Sequence, residues 1–340
     1  MAVTRRHIGD IVWTHVAIEI DAENFLEGFK SHLLSHVRPN WSPSGTRAKV
    51  FNDGFTNKLV GLYHEDGPKD DMVLMRINGP GTETFIDRDA ELISTHLLHR
   101  AGLAAPVYLQ FDNGTCYGYL PGRTVHVSEM GDRAVLGRVA KTMAKLHATE
   151  PPPASHSRAL PFVWAKCDDW ISKVPQTFED PKKNETFQRV IGTLDTLRTQ
   201  YQWLRGVLRD CRSPQVFCHN DLLCGNLIYN EDSGAVTFID FEYADVNYSA
   251  YDIGNYFCEF SGFVNPDYSR YPDEKTQKLF IRFYLEEAKI IRRDGSSVSD
   301  DDVHSLYTEA NRFALASHML WTLWALFQAL YSQKDFDYVA

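Results

Sequence analysis

Between Cys218 and Tyr243 the sequence combines short apolar runs with a few carboxylate and amide side chains. The runs LIYN and AVTFID predict two short strands, and the polar residues Glu231–Gly234 between them predict a hairpin turn. Asn226 lies just before the first strand and Asp240 at the end of the second, so antiparallel pairing brings them together. Asp221 precedes Asn226 by five residues. One hairpin is therefore predicted to collect two carboxylates and an amide.

The predicted cluster offers hard oxygen donors. Mg²⁺ prefers carboxylate and amide oxygens together with substrate phosphates, and Asp221 can then receive a proton from an attacking hydroxyl. Zinc fits less well, because Cys218 and His219 are adjacent and cannot easily both point at one metal ion.

The composition and net charge of the chain limit the kinds of molecule that it is expected to bind. The chain has 340 residues, of which 44% are hydrophobic and 13% aromatic, enough for one large or two medium domains with real cores. The formal charge is −10, and no run of Lys or Arg exceeds a pair. Nucleic acids and anionic membranes require a basic footprint, so neither is expected as a partner. A cationic small molecule fits this charge balance better.

The cysteines and the apolar segments indicate a cytoplasmic protein. None of the six cysteines forms a C-x-x-C pair, which favours reduced thiols. The first residues contain no apolar run typical of a signal peptide. The apolar segment Phe313–Tyr331 carries Ser317, His318 and Gln328, so we interpret it as a buried helix and expect no membrane insertion.

The sequence pattern changes from mainly strand-like to mainly helical at Tyr119–Arg123. Before this segment the pattern predicts short strands and one helix, from about Asp87 to Arg100, which Gly102 would end. After it, apolar residues recur at helical spacing. We therefore predict an α+β chain with domains at 1–119 and 120–340.

The motifs in the second half resemble a known family. H-x-D-x-x-x-x-N from His219, followed by D-F-E from Asp240, is similar to the catalytic and metal loops of protein-kinase-like enzymes. More closely, CHNDLLCGNLIYN, FIDFEYADVNYSAYDIGNYFCEF and FALASHMLWTLWAL resemble the choline/ethanolamine kinase family, from about Lys49 onward. HNDLLC and EFSG look more like the ethanolamine branch. The resemblance implies a bilobal protein-kinase-like (aminoglycoside-phosphotransferase-like) fold, with a small antiparallel β-rich N-lobe and a larger, mainly helical C-lobe.

The same resemblance implies roles for the polar residues. Asp221 would orient and deprotonate the substrate hydroxyl, and His219 would hold the catalytic loop. Asp252 would brace that loop, or it could be a simple helix cap. The residues implied to hold Mg²⁺ against the ATP phosphates are Asn226, Asp240 and Glu242.

The resemblance also implies a nucleotide site in the first domain. FNDGFTNKL would cover the phosphates, although alone it predicts a plain hairpin turn. Arg76 would bind phosphate with Glu91 as its partner, unless the two form only a surface or interlobe ion pair. CYGYLP would meet adenine, and its Gly118 departs from the acidic residue expected there. The implied nucleotide contacts are Asn52, Gly54, Phe55, Thr56, Asn57, Arg76, Glu91, Gly118 and Leu120.

Substrate recognition is predicted in the last helix. Trp321 and Trp324 are three residues apart and share one helix face, a spacing that by itself favours core packing. The resemblance implies instead that they form an ammonium pocket through cation–π attraction. Glu259 would add a carboxylate and Phe336 a further aromatic wall.

The implied activity is ATP- and Mg²⁺-dependent phosphorylation of ethanolamine to phosphoethanolamine, for phosphatidylethanolamine synthesis by the CDP-ethanolamine route. Alternatives are a choline or dual-specificity kinase, another small-molecule phosphotransferase, and a catalytically silent kinase-like binding protein. The segment NFLEGFKSHLLSHV could cover a core or form a homodimer contact. Family members usually continue with another helix after the segment resembling FDYVA, so we expect weaker substrate binding or lower stability from this chain.

Overall fold

The computed structural model describes residues 2–51, 57–79, 86–152, 160–263, 265–331 and 338. The strands are β1 Val3–Ile8, β2 Ile11–Val16, β3 Thr46–Phe51, β4 Lys58–His64, β5 Val73–Ile77, β6 Val107–Phe111, β7 Gly114–Gly118, β8 Arg123–Thr124, β9 Gln215–Cys218, β10 Leu227–Tyr229, β11 Val236–Phe238 and β12 Asp245–Tyr248. The helices are α1 Phe25–Gly28, α2 Leu34–Val37, α3 Arg88–Arg100, α4 Arg133–His147, α5 Phe162–Lys173, α6 Pro181–Val190, α7 Leu194–Leu208, α8 Ser249–Cys258, α9 Glu274–Ile291 and α10 Asp300–Tyr331.

Two compact units make up the chain. Unit 1 consists of Met1–Val125 and Gly225–Ala244, and unit 2 of His126–Cys224 and Asp245–Ala340. The segment Gly225–Ala244 belongs to unit 1 because β10 pairs with β8 as well as with β11. The sequence predicted two uninterrupted domains, and that assignment stays a prediction.

A seven-stranded sheet forms the centre of unit 1. Its strand order is β1-β2-β6-β7-β5-β4-β3, and every pairing is antiparallel except that of β2 with β6. Alternate side chains of β4 and β5 point into the core, where they pack with buried residues of the segment that leads into α2. The centre of this core includes Phe29, Leu33, Val60, Leu62, Met75 and Leu109.

Helix α3 lies in unit 1 close to where the sequence placed it. The Asp87 carboxylate caps it by accepting a hydrogen bond from the Ala90 amide at 3.0 Å. The helix ends before Gly102, whose φ of 74° is the left-handed conformation that glycine adopts without strain. The intervening turns bury Glu91, Leu92 and Ile93. The cap and the glycine thus fix the position of Glu91.

Unit 2 is mainly helical, and α10 packs along α8. A Cβ atom on Gly254 would lie 2.5 Å from the Ala310 carbonyl oxygen, so glycine permits this close approach. Among the described residues, α10 is the one helix long and apolar enough to cross a membrane. However, 56% of its apolar 18-residue stretch is buried inside the protein, which is typical of a core helix in a soluble protein.

Candidate active site

The hairpin predicted around Asn226 and Asp240 is present in unit 1. β10 and β11 pair antiparallel, with Leu227 opposite Phe238, and the Ile239 amide donates to the Asn226 carbonyl oxygen at 3.0 Å. Asn226 is buried and Asp240 half-buried, at the same end of the hairpin. Asp240 has a φ of 64°, a conformation uncommon for residues other than glycine and often found at functional sites.

A buried ion pair joins β5 to α3. Arg76 Nη1 lies 2.6 Å from Glu91 Oε1, with 14% and 7% of the two side chains exposed. The predicted pair is therefore present, and it is buried within unit 1 rather than exposed at the surface. Burial alone would raise the pKa of Glu91, but the charges and hydrogen bonds of Arg76 and Arg88 together lower that pKa overall. Arg76 Nη1 is also 3.8 Å from Asp240 Oδ1, which links the ion pair to the predicted metal ligand.

Sequence reasoning missed Arg88, a second guanidinium beside this pair. Arg88 Nη1 donates to Glu91 Oε2 at 3.0 Å and to Glu242 Oε2 at 3.4 Å, and Nη2 donates to Asn57 Oδ1 at 3.3 Å. The signal available was its spacing of three residues from Glu91 on a predicted helix, which places both side chains on one face. Arg88 thereby connects the helix to the segment after β11.

Among the described residues here, the guanidinium groups of Arg76 and Arg88 lie against three carboxylates, those of Glu91, Asp240 and Glu242. Burial raises the pKa of Glu242 to about 8, and the neighbouring Asp240 and Glu91 carboxylates add to the increase. A divalent cation would relieve the repulsion among these acids, and the donors are the hard oxygens that Mg²⁺ prefers. Arg76 Nε is buried with no hydrogen-bond partner among the described residues, as a donor reserved for a phosphate oxygen would be. The side chains of this part of unit 1 therefore suit both a Mg²⁺ ion and a phosphate group.

The predicted phosphate-covering loop is only partly described. Asn52, Gly54, Phe55 and Thr56 lie outside the described residues. Asn57 follows them, and its Oδ1 accepts hydrogen bonds from the Gly79 amide and from Arg88, both at 3.3 Å.

Gly118 ends β7 at the predicted adenine-binding segment. Its amide donates to the Pro106 carbonyl oxygen at 2.8 Å, and a Cβ atom there would lie 2.9 Å from the Pro106 ring. A side chain at this position would therefore require the Pro106 ring to shift. The next residue, Tyr119, bonds through its amide to the Met72 carbonyl oxygen, and Leu120 is half-buried.

The predicted catalytic loop around Asp221, in unit 2, is held by Asp252. The Asp252 carboxylate accepts hydrogen bonds from the backbone amides of His219 at 2.9 Å and Asn220 at 2.7 Å. His219 Nδ1 in turn accepts from the Asp221 amide at 3.3 Å. Asp252 therefore braces the loop, and the helix-cap alternative is wrong, because α8 begins at Ser249 and Asp252 bonds to the loop instead.

The charge of Asp252 is stabilised although the side chain is fully buried. Burial alone would raise its pKa, but the hydrogen bonds from the His147 ring and the His219 amide help to lower it overall. His147, Cys218 and Asp252 lie within the mutual distances of a metal site. Both nitrogens of His147 are already hydrogen-bonded, to Tyr284 and to Asp252. Cys218 Sγ donates to the Asn247 carbonyl oxygen at 3.5 Å. This group is a hydrogen-bonded cluster rather than a zinc site.

The tryptophan pair of α10 forms an aromatic corner. The Trp321 and Trp324 ring centroids are 5.8 Å apart and nearly perpendicular, and Trp324 has the same relation to Tyr338 at 5.8 Å. Both tryptophans are half-buried, whereas Leu320 and Leu323 on the same helix are fully buried. The leucines, not the tryptophans, therefore form the core face of this helix.

Two further residues define this aromatic corner. Trp321 Nε1 donates to Asn255 Oδ1 at 2.8 Å, which fixes the orientation of the indole. Neither Asn255 nor Tyr338 was predicted, since no local pattern singles them out. Phe336 lies outside the described residues. Glu259 follows α8 and is half-buried, and burial raises its pKa to about 7.

Comparison with known proteins identifies the family. The model of the family described as choline/ethanolamine kinase matches residues 48–340. The chain belongs to the choline/ethanolamine kinase family. Within this family it is 41% identical over 309 residues to human ethanolamine kinase 1, covering 90% of this chain and 67% of the relative. It is 39% identical over 323 residues to rat ethanolamine kinase 2, covering 95% and 80%.

A solved structure of the family supports the fold. The ethanolamine kinase of Plasmodium vivax superposes with a TM-score of 0.79 at 25% identity, covering 94% of this chain and 86% of that one. The predicted family and the α+β protein-kinase-like fold class are thus confirmed. As a member of a kinase family the chain is a transferase, which supports ATP as the phosphoryl donor and a small molecule as the acceptor.

Proposed function

We propose that this chain transfers the γ-phosphoryl group of ATP to the hydroxyl of ethanolamine, giving phosphoethanolamine and ADP in the cytoplasm. This is the first step of phosphatidylethanolamine synthesis by the CDP-ethanolamine route. The observation that carries the proposal is the buried Arg76–Glu91 pair, whose guanidinium also lies 3.8 Å from Asp240. A phosphate-binding cation and a metal-binding acid are thus adjacent, as phosphoryl transfer requires.

In this proposal the nucleotide is held by residues of unit 1. Asn226, Asp240 and Glu242 would hold Mg²⁺, which when bound supplies positive charge against the phosphate oxygens. Arg76 donates to phosphate, and Glu91 with Arg88 keeps its guanidinium in place. The catalytic contribution of these residues is mainly positioning and electrostatic stabilisation.

Asp221 acts on the acceptor. Its carboxylate orients the ethanolamine hydroxyl and takes the hydroxyl proton as the oxygen attacks the γ-phosphorus and the bond to ADP breaks. The bonds from His219 and Asn220 to Asp252 keep the backbone around Asp221 fixed.

The amine end would be recognised by Trp321, Trp324 and Glu259. Aromatic faces attract an ammonium group by about 0.5–2 kcal/mol each, and an ionised carboxylate adds direct charge attraction. A primary ammonium carries three N–H donors, whereas the quaternary ammonium of choline carries none, so carboxylate and carbonyl acceptors favour ethanolamine.

The second candidate is a choline or dual-specificity kinase. The corner formed by Trp321, Trp324 and Tyr338 favours it, because three aromatic rings suit a quaternary ammonium that donates no hydrogen bonds.

Steady-state phosphorylation of ethanolamine and choline, measured side by side with ATP and Mg²⁺, tests the proposal. We expect kcat/KM for ethanolamine to exceed that for choline by at least about tenfold. Similar values would establish the dual-specificity alternative. Binding of ATP without turnover of either amine would instead indicate a silent binding protein and refute the proposal.

A further inference from the structure

A chain of buried hydrogen bonds continues behind Asp252. His147, at the end of α4, donates from Nε2 to Asp252 Oδ2 at 3.0 Å. Its other ring nitrogen, Nδ1, lies 2.9 Å from the hydroxyl of Tyr284 on α9. The exposed fractions are 7% for Tyr284 and 3% and 0% for the side chains of His147 and Asp252. Three helices thus meet through side chains that water does not reach.

We propose that His147 and Tyr284 are positioning residues for phosphoryl transfer, which act by fixing the Asp252 carboxylate and, through it, the catalytic loop. This inference rests on the proposed function for its kinetic consequences. Its structural part concerns only contacts within unit 2.

His147 helps to fix the orientation of the Asp252 carboxylate. The carboxylate accepts from three described donors, namely the amides of His219 and Asn220 and the His147 ring. Oδ2 is shared between His147 and the His219 amide, so rotation of the carboxylate about its last torsion would break both bonds. His147 therefore holds the Asp252 carboxylate in the orientation in which its two oxygens accept hydrogen bonds from the loop amides.

The bond from His147 to Asp252 depends on which ring nitrogen of His147 carries the proton. A neutral imidazole carries one N–H, and only the form protonated on Nε2 can donate to Asp252. A Tyr284 hydroxyl that donates to Nδ1 selects this form. Burial raises the pKa of Tyr284, so its phenol remains a donor at neutral pH. Tyr284 thus supports the same tautomer that the Asp252 carboxylate requires, and its edge-on ring, 5.5 Å from the imidazole centroid, limits ring rotation.

The loop backbone that Asp252 holds includes a left-handed residue. Asn220 has a φ of 69°, a region that residues other than glycine occupy uncommonly and that asparagine occupies more often than most. Its amide makes the shorter of the two loop bonds to Asp252, at 2.7 Å. Loosening Asp252 should release Asn220 and disorder the adjacent Asp221.

The test uses Tyr284→Phe, with Tyr271→Phe as the matched control. Tyr271 also hydrogen-bonds through its hydroxyl, to Asn311 Oδ1 at 3.1 Å and to Gln277, but away from the catalytic loop. Tyr284→Phe should lower kcat about five- to tenfold while changing KM for ATP and for ethanolamine by less than about twofold, the effect of one lost hydrogen bond on positioning. Tyr271→Phe should leave all three parameters unchanged.

A second pair of variants provides rescue. His147→Gln retains an N–H donor near the position of Nε2, whereas His147→Leu retains none. We expect His147→Gln to keep at least about tenfold more kcat than His147→Leu.

Hydrogen exchange provides a readout independent of the amine. Amide exchange of His219 and Asn220 should accelerate in Tyr284→Phe and His147→Leu, while exchange in β4 and β5 of unit 1 stays unchanged. Normal exchange and normal kcat in both variants would overturn the proposal, as would an equal loss in the Tyr271→Phe control. Absence of amine turnover in the unmodified protein would refute the proposed function, and the exchange comparison would still decide whether this lock exists.

Discussion

Replacement of Glu91 by Gln tests how strongly unit 1 depends on its buried charges. Glu91 contacts two guanidinium groups, Arg76 at 2.6 Å and Arg88 at 3.0 Å. Removal of one partner of a buried ion pair costs about 3–5 kcal/mol, because the remaining charge is left without compensation. Gln still accepts a hydrogen bond, and Asp240 and Glu242 remain near the two arginines. We therefore expect the lower end, a loss of about 3 kcal/mol in the free energy of unfolding.

Glu65→Gln is the matched control in the same unit. Glu65 also lies 2.6 Å from an arginine, Arg47, but 46% and 44% of the two side chains are exposed. An exposed pair contributes about 0–1 kcal/mol, so the control should change the free energy of unfolding by less than about 1 kcal/mol. Denaturant unfolding followed by tryptophan fluorescence measures both variants.

The two variants are compared at neutral pH because the contribution of the Glu91 ion pairs to stability depends on pH. The pKa of Glu91 in the folded protein lies below its ordinary value, so its contribution is complete above the unfolded-state pKa and is lost as the pH falls through the folded-state pKa. Equal, small losses in Glu91→Gln and Glu65→Gln at pH 7 would refute the reasoning that burial makes this pair important.

Three further predictions concern ligands. Burial raises the pKa of Glu259 to about 7, and a primary ammonium stays protonated near this pH, so kcat/KM for ethanolamine should rise between about pH 6 and 8 and Glu259→Gln should flatten the profile. Trp324→Ala should raise KM for ethanolamine about 2- to 30-fold while KM for ATP stays constant; an unchanged amine KM would mean that the ring only packs. Asp240→Asn should increase the Mg²⁺ concentration for half-maximal activity at least about tenfold in a magnesium titration, and an unchanged value would exclude Asp240 as a ligand.

Local sequence patterns predicted the elements that local physics determines. The hairpin of β10 and β11 follows from two short apolar runs around a polar turn, and α3 follows from a cap, a helical repeat and a terminating glycine. The Arg76–Glu91 pair and the brace by Asp252 came from family resemblance, and the structure supplies their geometry.

What the sequence did not predict depends on contacts between distant residues. The pairing of β10 with β8 assigns Gly225–Ala244 to unit 1, yet the two strands are about a hundred residues apart. The hydrogen bonds of Trp321 with Asn255 and of His147 with Tyr284 likewise join different helices. Such partners are specified by tertiary packing and leave no periodic signal along the chain.

The replacement of Asp221 by Asn tests the central claim most directly. Asn preserves size and hydrogen bonding but cannot take the hydroxyl proton, so the variant should bind ATP normally and lose at least about 99% of its kcat for ethanolamine. Phosphorus NMR of the reaction with ATP, Mg²⁺ and ethanolamine measures phosphoethanolamine directly, and ATP affinity is measured on the same sample. Phosphoethanolamine formed at a near-normal rate by Asp221→Asn would contradict the account.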